Sequence, residues 1–202
     1  MRFHLILAAF AFILLASPLA FAAKTDGTPA AQFVQTMGDK ALTSLTDRQI
    51  ADGVRATRVR SLLHENFDVQ TIGRFVMGPS WKKATPAQKS QYLSLFEDMI
   101  VATYTKRFAE YSGQSFKVTG SSSAGGSDSL VKSQILQKDG PPVMVDWRVR
   151  NKDGGFKVVD VVVESISMTM TQRDDFAGVI SSKGIDGLID VLRQRAGKVA
   201  KK

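Results

Sequence analysis

The chain has 202 residues, a formal net charge of +8 and no cysteine. The absence of thiols removes disulfide scaffolds, thiolate nucleophiles and zinc–thiolate centres from consideration. A diffuse positive charge favours anionic partners such as phospholipid headgroups, acidic protein patches or nucleic acid, and is equally a plain solubility charge.

The first segment reads as a targeting signal. Arg2 supplies a positive n-region, Leu5 to Ala16 is a short apolar run, and Ser17-Pro18 breaks it. Ala20-Phe21-Ala22 has the small-x-small form of a signal-peptidase site. The run is too short to cross a bilayer as a helix. The expectation is a secretory signal peptide over residues 1–22 and a single domain over residues 23–202. Export without cysteine suits a Gram-negative periplasm and counts against a nucleic-acid partner.

Thr28-Pro29 has the form of an N-cap followed by proline at the first helical position. Phe33, Met37, Ala41 and Leu45 recur behind it every four residues, which predicts an amphipathic helix over Pro29 to Leu45. Asp47 is the expected cap of a second helix, with Ile50, Val54, Leu62 and Leu63 inward and Arg48, Arg55, Arg58 and Arg60 in water. Asp68 caps a short third helix carrying Val69, Ile72, Phe75 and Val76, which Gly78-Pro79 ends. Thr85-Pro86-Ala87-Gln88 is a capping box. It opens the strongest helix, with Tyr92, Leu95, Phe96, Met99, Ile100, Thr103, Tyr104 and Phe108 on one broad stripe.

Strands follow. Ser115 to Thr119 and Leu130 to Leu136 flank a Gly/Ser-rich connection. Val143, Val145, Trp147 and Val149 alternate with Met144, Asp146, Arg148 and Arg150, the period-two pattern of a strand with one apolar face. Asn151 to Gly155 is turn chemistry. Val158, Val159, Val161, Val162 and Val163 make the return strand apolar on both faces, so cover is expected on both sides. Thr171 is the expected cap of a helix bearing Phe176, Val179 and Ile180. Gly184 interrupts it before Leu188, Ile189 and Leu192. Helices, then four strands joined by short turns, then helices imply α+β, with helices packed on one four-stranded antiparallel sheet.

Few residues carry chemistry. His64 is the only histidine after the signal, so no multi-histidine metal site exists there, and its place at a helix end suits contact with terminal carbonyls. No nucleophile elbow, phosphate loop or metalloprotease motif occurs. Asp146, Asp160 and Glu164 on the hairpin are the remaining acid–base candidates. Ion pairing with Arg148, Arg150, Lys157 or Arg173 is the structural alternative. The aromatic and methionine stripe suits a dry core, or a cavity if its walls stand apart.

The run NFDVQTIGRFVMGPSW at Asn66 to Trp81, VDWRV at Val145 to Val149, and FKVVDVVVESISMTMTQRDDF at Phe156 to Phe176 together resemble the MlaC family, also called toluene-tolerance auxiliary components. The resemblance covers nearly the whole chain after the signal. It implies an NTF2-like fold with an apolar pocket between helices and sheet, and a periplasmic phospholipid carrier that is not an enzyme. The carrier would need no cofactor, phospholipid being its cargo. Its implied partners are an inner-membrane ABC transporter complex with a lipid-binding ring and an outer-membrane lipoprotein–porin complex, the traffic between them maintaining outer-membrane lipid asymmetry. On that reading the wall is expected from Phe75, Val76, Trp81, Tyr92, Phe96, Met99, Ile100 and Tyr104 on helices, and from Val145, Trp147, Val149, Val161, Val163 and Ile166 on the sheet. A hopanoid-associated carrier, a dry-core periplasmic adaptor and an NTF2-like enzyme using the hairpin carboxylates are the alternatives.

Overall fold

The computed structural model describes residues 27–199; the signal peptide expected over residues 1–22 lies outside them. Four helices precede the sheet: α1 (Pro29–Leu45), α2 (Asp52–Asn66), α3 (Val69–Met77) and α4 (Pro86–Ala109). The strands are β1 (Ser115–Ser123), β2 (Asp128–Leu136), β3 (Val143–Lys152), β4 (Gly155–Val163) and the short β5 (Ile166–Ser167). A long helix, α5 (Met168–Val199), follows. The strands pair in chain order as an antiparallel meander of five, one more than the four expected, because β5 adds two residues to the edge of β4.

Local chemistry sets most boundaries. Thr28 accepts from the Ala31 N–H, and proline follows it. Asp68 accepts from the Thr71 N–H at 3.0 Å and from the Thr71 hydroxyl at 2.8 Å. Thr85 and Gln88 form the reciprocal capping box. Gly78, at φ 60°, closes α3 in a conformation that side chains with a Cβ resist. Gly184, at φ 71°, kinks α5 where the interruption was expected.

Two caps differ from expectation. Asp47 accepts from the Gln49 N–H at 2.8 Å in a local turn, and α2 starts five residues later behind Ala51 with no side-chain cap. Thr171 lies inside α5 and donates to the Ser167 carbonyl, while the Ser167 hydroxyl accepts from the Met170 N–H at 3.1 Å. The inward face of α2 also differs. Val54 is 46 % exposed, whereas Arg55 is buried. Arg55 donates to the carbonyls of Leu45 (3.0 Å) and Asp47 (2.9 Å) and to the Asp52 carboxylate (2.7 Å). These carbonyls at the end of α1 have no helical partner, and the guanidinium fork satisfies them.

A bulge decides the faces of the hairpin. Arg148 pairs with Asp160 but Val149 with Val158, so Val159 is the extra residue. Beyond it, Val158, Val161 and Val163 fall on one face with Val149, Trp147 and Val145. Val162 opposes Asp146 on the other face and is only partly buried. The β4 strand is therefore apolar on its inner face and half-covered on its outer one, not covered on both. The outer face carries Asp128, held by Arg148 at 2.7 Å and by Arg150 at 2.7 Å. The Gly/Ser-rich connection is shorter than expected, because β1 runs on to Ser123 and β2 starts at Asp128.

The core has three parts. α3, α4 and α5 bury Tyr92, Phe96, Phe176 and Leu188 among themselves. α1 packs Val34 and Met37 on Val118, Val131, Val149 and Val158 of the sheet. Leu45, Val59, Leu62, Leu63 and Val101 join α1, α2 and α4. Phe67 packs against all three.

Candidate functional site

The expected wall residues do not fall on one surface. Val76, Tyr92 and Phe96 lie in the helical cluster, with Trp81, Met99 and Ile100 packed against it. Tyr92 is fully buried; its hydroxyl donates to the Gly73 carbonyl at 2.9 Å, and burial pushes its phenol up. Trp81 sits edge-on to Tyr92 at 6.4 Å. Phe75 faces away from this cluster, 40 % exposed, beneath the Arg173 guanidinium. Val149, Trp147 and Val161 lie on the inner sheet face. Val145 is buried yet belongs to none of the three clusters, and Val163 beside it is half-buried. Ile166 and Tyr104 are exposed, at 57 % and 41 %.

Tyr104 is an exposed member of the α4 stripe. Gln88 donates to Asp186, and Phe96 contacts Phe176, so α4 and α5 run antiparallel. That arrangement points the second half of α4 towards the start of α5. The surface of Tyr104 is accessible, yet burial raises its pKa, partly offset by Arg107. The backbone of α4 packs on α5, α2 and α3 and approaches no strand comparably. Phe67, at the junction of the three clusters, is edge-on to Trp147 at 6.5 Å. Sequence reading missed Phe67 because it lies in the joint between α2 and α3, outside either helical stripe.

Two of the three carboxylate candidates, Asp160 and Glu164, are engaged in backbone support, whereas Asp146 lies half-buried on the outer sheet face opposite Val162. Asp160 accepts from the N–H groups of Val161 (2.8 Å) and Thr169 (3.2 Å) and from the Ser167 hydroxyl (2.7 Å), fixing the entry to α5. Glu164 accepts from the Met144 N–H at 2.6 Å. Neither makes the ion pair weighed from sequence; Arg148 and Arg150 turn to Asp128, and Lys157 donates to the carbonyls of His64 and Glu65. Lys157 thus takes the terminal carbonyls of α2 that were expected for His64. The His64 ring instead meets Glu97 at 3.0 Å, and Glu97 also holds Arg60. These residues border a groove of about 530 Å³ beneath the β3–β4 turn, lined by Phe67, Asp68, Glu97 and Lys152 among others. Partial burial acts to raise the Asp68 pKa, but hydrogen bonds from Thr71 and the charges of Lys152 and Arg150 outweigh it and leave the carboxyl lowered.

Helices packed on one face of an antiparallel meander define an α+β protein. The structure is similar to that of a phospholipid-binding protein from Ralstonia solanacearum, solved in complex with a phospholipid. That match has a TM-score of 0.72 and 27 % identity, covering 84 % of this chain and 98 % of the other. The family model described as MlaC protein matches residues 35–194, and the chain belongs to that family. It is 27 % identical over 146 residues to the intermembrane phospholipid transport system binding protein MlaC of Haemophilus influenzae, spanning 70 % of this chain and 68 % of that protein. It is also 27 % identical over 135 residues to toluene tolerance protein ttg2D of Pseudomonas putida, spanning 66 % of this chain and 62 % of that one.

Proposed function

We propose that the protein is a periplasmic phospholipid carrier that moves lipid between outer-membrane and inner-membrane complexes and so helps to maintain outer-membrane asymmetry. The observation that carries this reading is the likeness of the fold to a structure solved with a phospholipid bound, together with the apolar inner sheet face formed by Val145, Trp147, Val161 and Val163. The family and the phospholipid-bound structural relative support the choice of ligand. The acyl chains would lie against Ile100 and Tyr104 on one side and Val145, Trp147, Val161 and Val163 on the other. Ile166 and Met168 would border the mouth.

The physical mechanism needs no catalytic residue. Each acyl methylene taken out of water is worth ~0.8 kcal/mol, so free lipid does not cross an aqueous space at a useful concentration. A cavity of comparable apolarity makes transfer from a membrane complex to the carrier nearly isoenergetic. Partner docking then decides where lipid is released. The implied partners are the inner-membrane ABC transporter complex and the outer-membrane lipoprotein–porin complex.

The test is native mass spectrometry of gently purified protein, with lipid analysis of the same sample. Diacyl phospholipid bound to the parent and lost from a folded Val163→Asp variant is the expected result. A parent chain without lipid, under conditions that preserve other lipid complexes, would overturn the reading in favour of a dry-core adaptor. A polycyclic lipid would reassign the cargo.

A further inference from the structure

On the helical side, away from the sheet, a second groove of about 420 Å³ is lined by Arg74, Phe75, Gly78, Trp81, Lys82 and Arg173. No strand residue and no carboxylate contributes to it. Among the described residues, no carboxylate lies within ion-pair distance of Arg74, Lys82, Lys89 or Arg173. Asp174 and Asp175 follow Arg173 in sequence but lie outside the lining.

The cations are held on aromatic platforms. The Arg173 guanidinium carbon sits 4.9 Å from the centroid of Phe75, and the Lys89 ammonium 5.4 Å from that of Trp81. Gly78 leaves room for this arrangement, since a Cβ there would stand 3.2 Å from the Arg173 Nε. A guanidinium stacked on a ring face keeps its in-plane N–H donors for a planar, bidentate acceptor. Aromatic rings and arginine around a recess are also the composition of protein–protein anchor points.

We infer that this groove is a docking surface for an acidic segment of a partner protein, its Asp or Glu carboxylates bridging Arg173 and Arg74. The carrier reading supplies only what the docking is for; the chemistry of the groove stands without it. A membrane surface fits less well. The site is concave, and the ring faces that would enter a bilayer are covered by Arg173 and Lys89.

The test uses the full chain after the signal, isotope-labelled for NMR and titrated with capped octaglutamate. Vesicles of phosphatidylethanolamine and phosphatidylglycerol are titrated separately. The expected result is salt-sensitive shifts confined to Thr71 to Lys82 and the Arg173 side chain. Arg173→Glu with Arg74→Glu abolishes them, and Arg173→Lys, which keeps the charge but not the fork, weakens binding about tenfold. Far-UV circular dichroism checks folding, and lipid occupancy of the variants by native mass spectrometry stays at the parent level. Shifts spread evenly over all exposed lysines and arginines would overturn the inference. So would vesicle binding through these residues with no response to the peptide. If the parent carries no lipid, the carrier reading fails while the peptide titration still reports on the groove.

Discussion

Trp147 donates its indole N–H to Ser133 Oγ at 2.9 Å, and Ser133 donates in turn to the Val145 carbonyl at 2.7 Å. Ser133 is fully buried on the inner sheet face. One hydroxyl on β2 therefore fixes the orientation of the indole and links it to the β3 backbone two residues before it. Ser133→Ala should leave the indole N–H unpartnered and cost about 1–3 kcal/mol. Chemical denaturation measures the loss, and a shift in tryptophan emission would report the released indole. Unchanged stability would mean that water replaces the hydroxyl.

Gly38 lets α1 lie against the ring of Phe116. A Cβ built at Gly38 would stand 2.3 Å from Phe116 Cδ1, and Phe116 is itself edge-on to Trp147 at 6.1 Å. Helix propensity alone favours Gly38→Ala by about 1 kcal/mol. Overpacking opposes it by about 1–3 kcal/mol. The expected sign is net destabilisation, read as a lower urea midpoint. A higher midpoint would show that the ring moves aside freely.

Asp128 is buried with two arginines on it, and the Arg150 hydrogen bond, helped by Arg148, holds its carboxyl below the usual range against the cost of burial. A carboxyl lowered in the fold contributes stability above its unfolded pKa of about 4, and that contribution fades as pH falls through the folded value. Asp128→Asn should cost about 2 kcal/mol at neutral pH. The gap between variant and parent should narrow in acid, as pH-dependent unfolding curves will read. A constant gap would exclude ionisation as its source.

Tyr92 and Tyr104 share one helix but should behave oppositely. Tyr92→Ala empties a buried aromatic site and should cost about 3–5 kcal/mol. Tyr104→Ala removes an accessible ring and should leave stability within about 1 kcal/mol, while lowering lipid occupancy by native mass spectrometry. Equal losses of stability would place Tyr104 in the packed core.

Much of the fold was legible because its signals are local. Thr28, Asp68 and Thr85 announce helix starts through side chains that reach only three residues ahead. The valines of β3 announce a face through the two-residue repeat of a strand. The pattern around Arg55 was misread for the same reason: its burial depends on the carbonyls ending α1, a partner that helical periodicity does not contain. The residues expected to form a wall are placed less uniformly than their pattern suggests. Val145, Trp147, Val161 and Val163 share a face as expected, but the helical residues divide between a closed cluster and the surface.

By itself the sequence determined the caps at Thr28, Asp68 and Thr85, the meander and the family likeness, since these reside in short-range hydrogen bonding, side-chain alternation and ordered motifs. Only the tertiary structure decided that Tyr92 is packed while Tyr104, three turns on, is accessible. Both lie on one apolar stripe, and a stripe records which side chains avoid water, not whether the opposing surface comes close enough to touch them. That distance depends on how α4 sits against α5 and the other helices, contacts made between residues far apart along the chain.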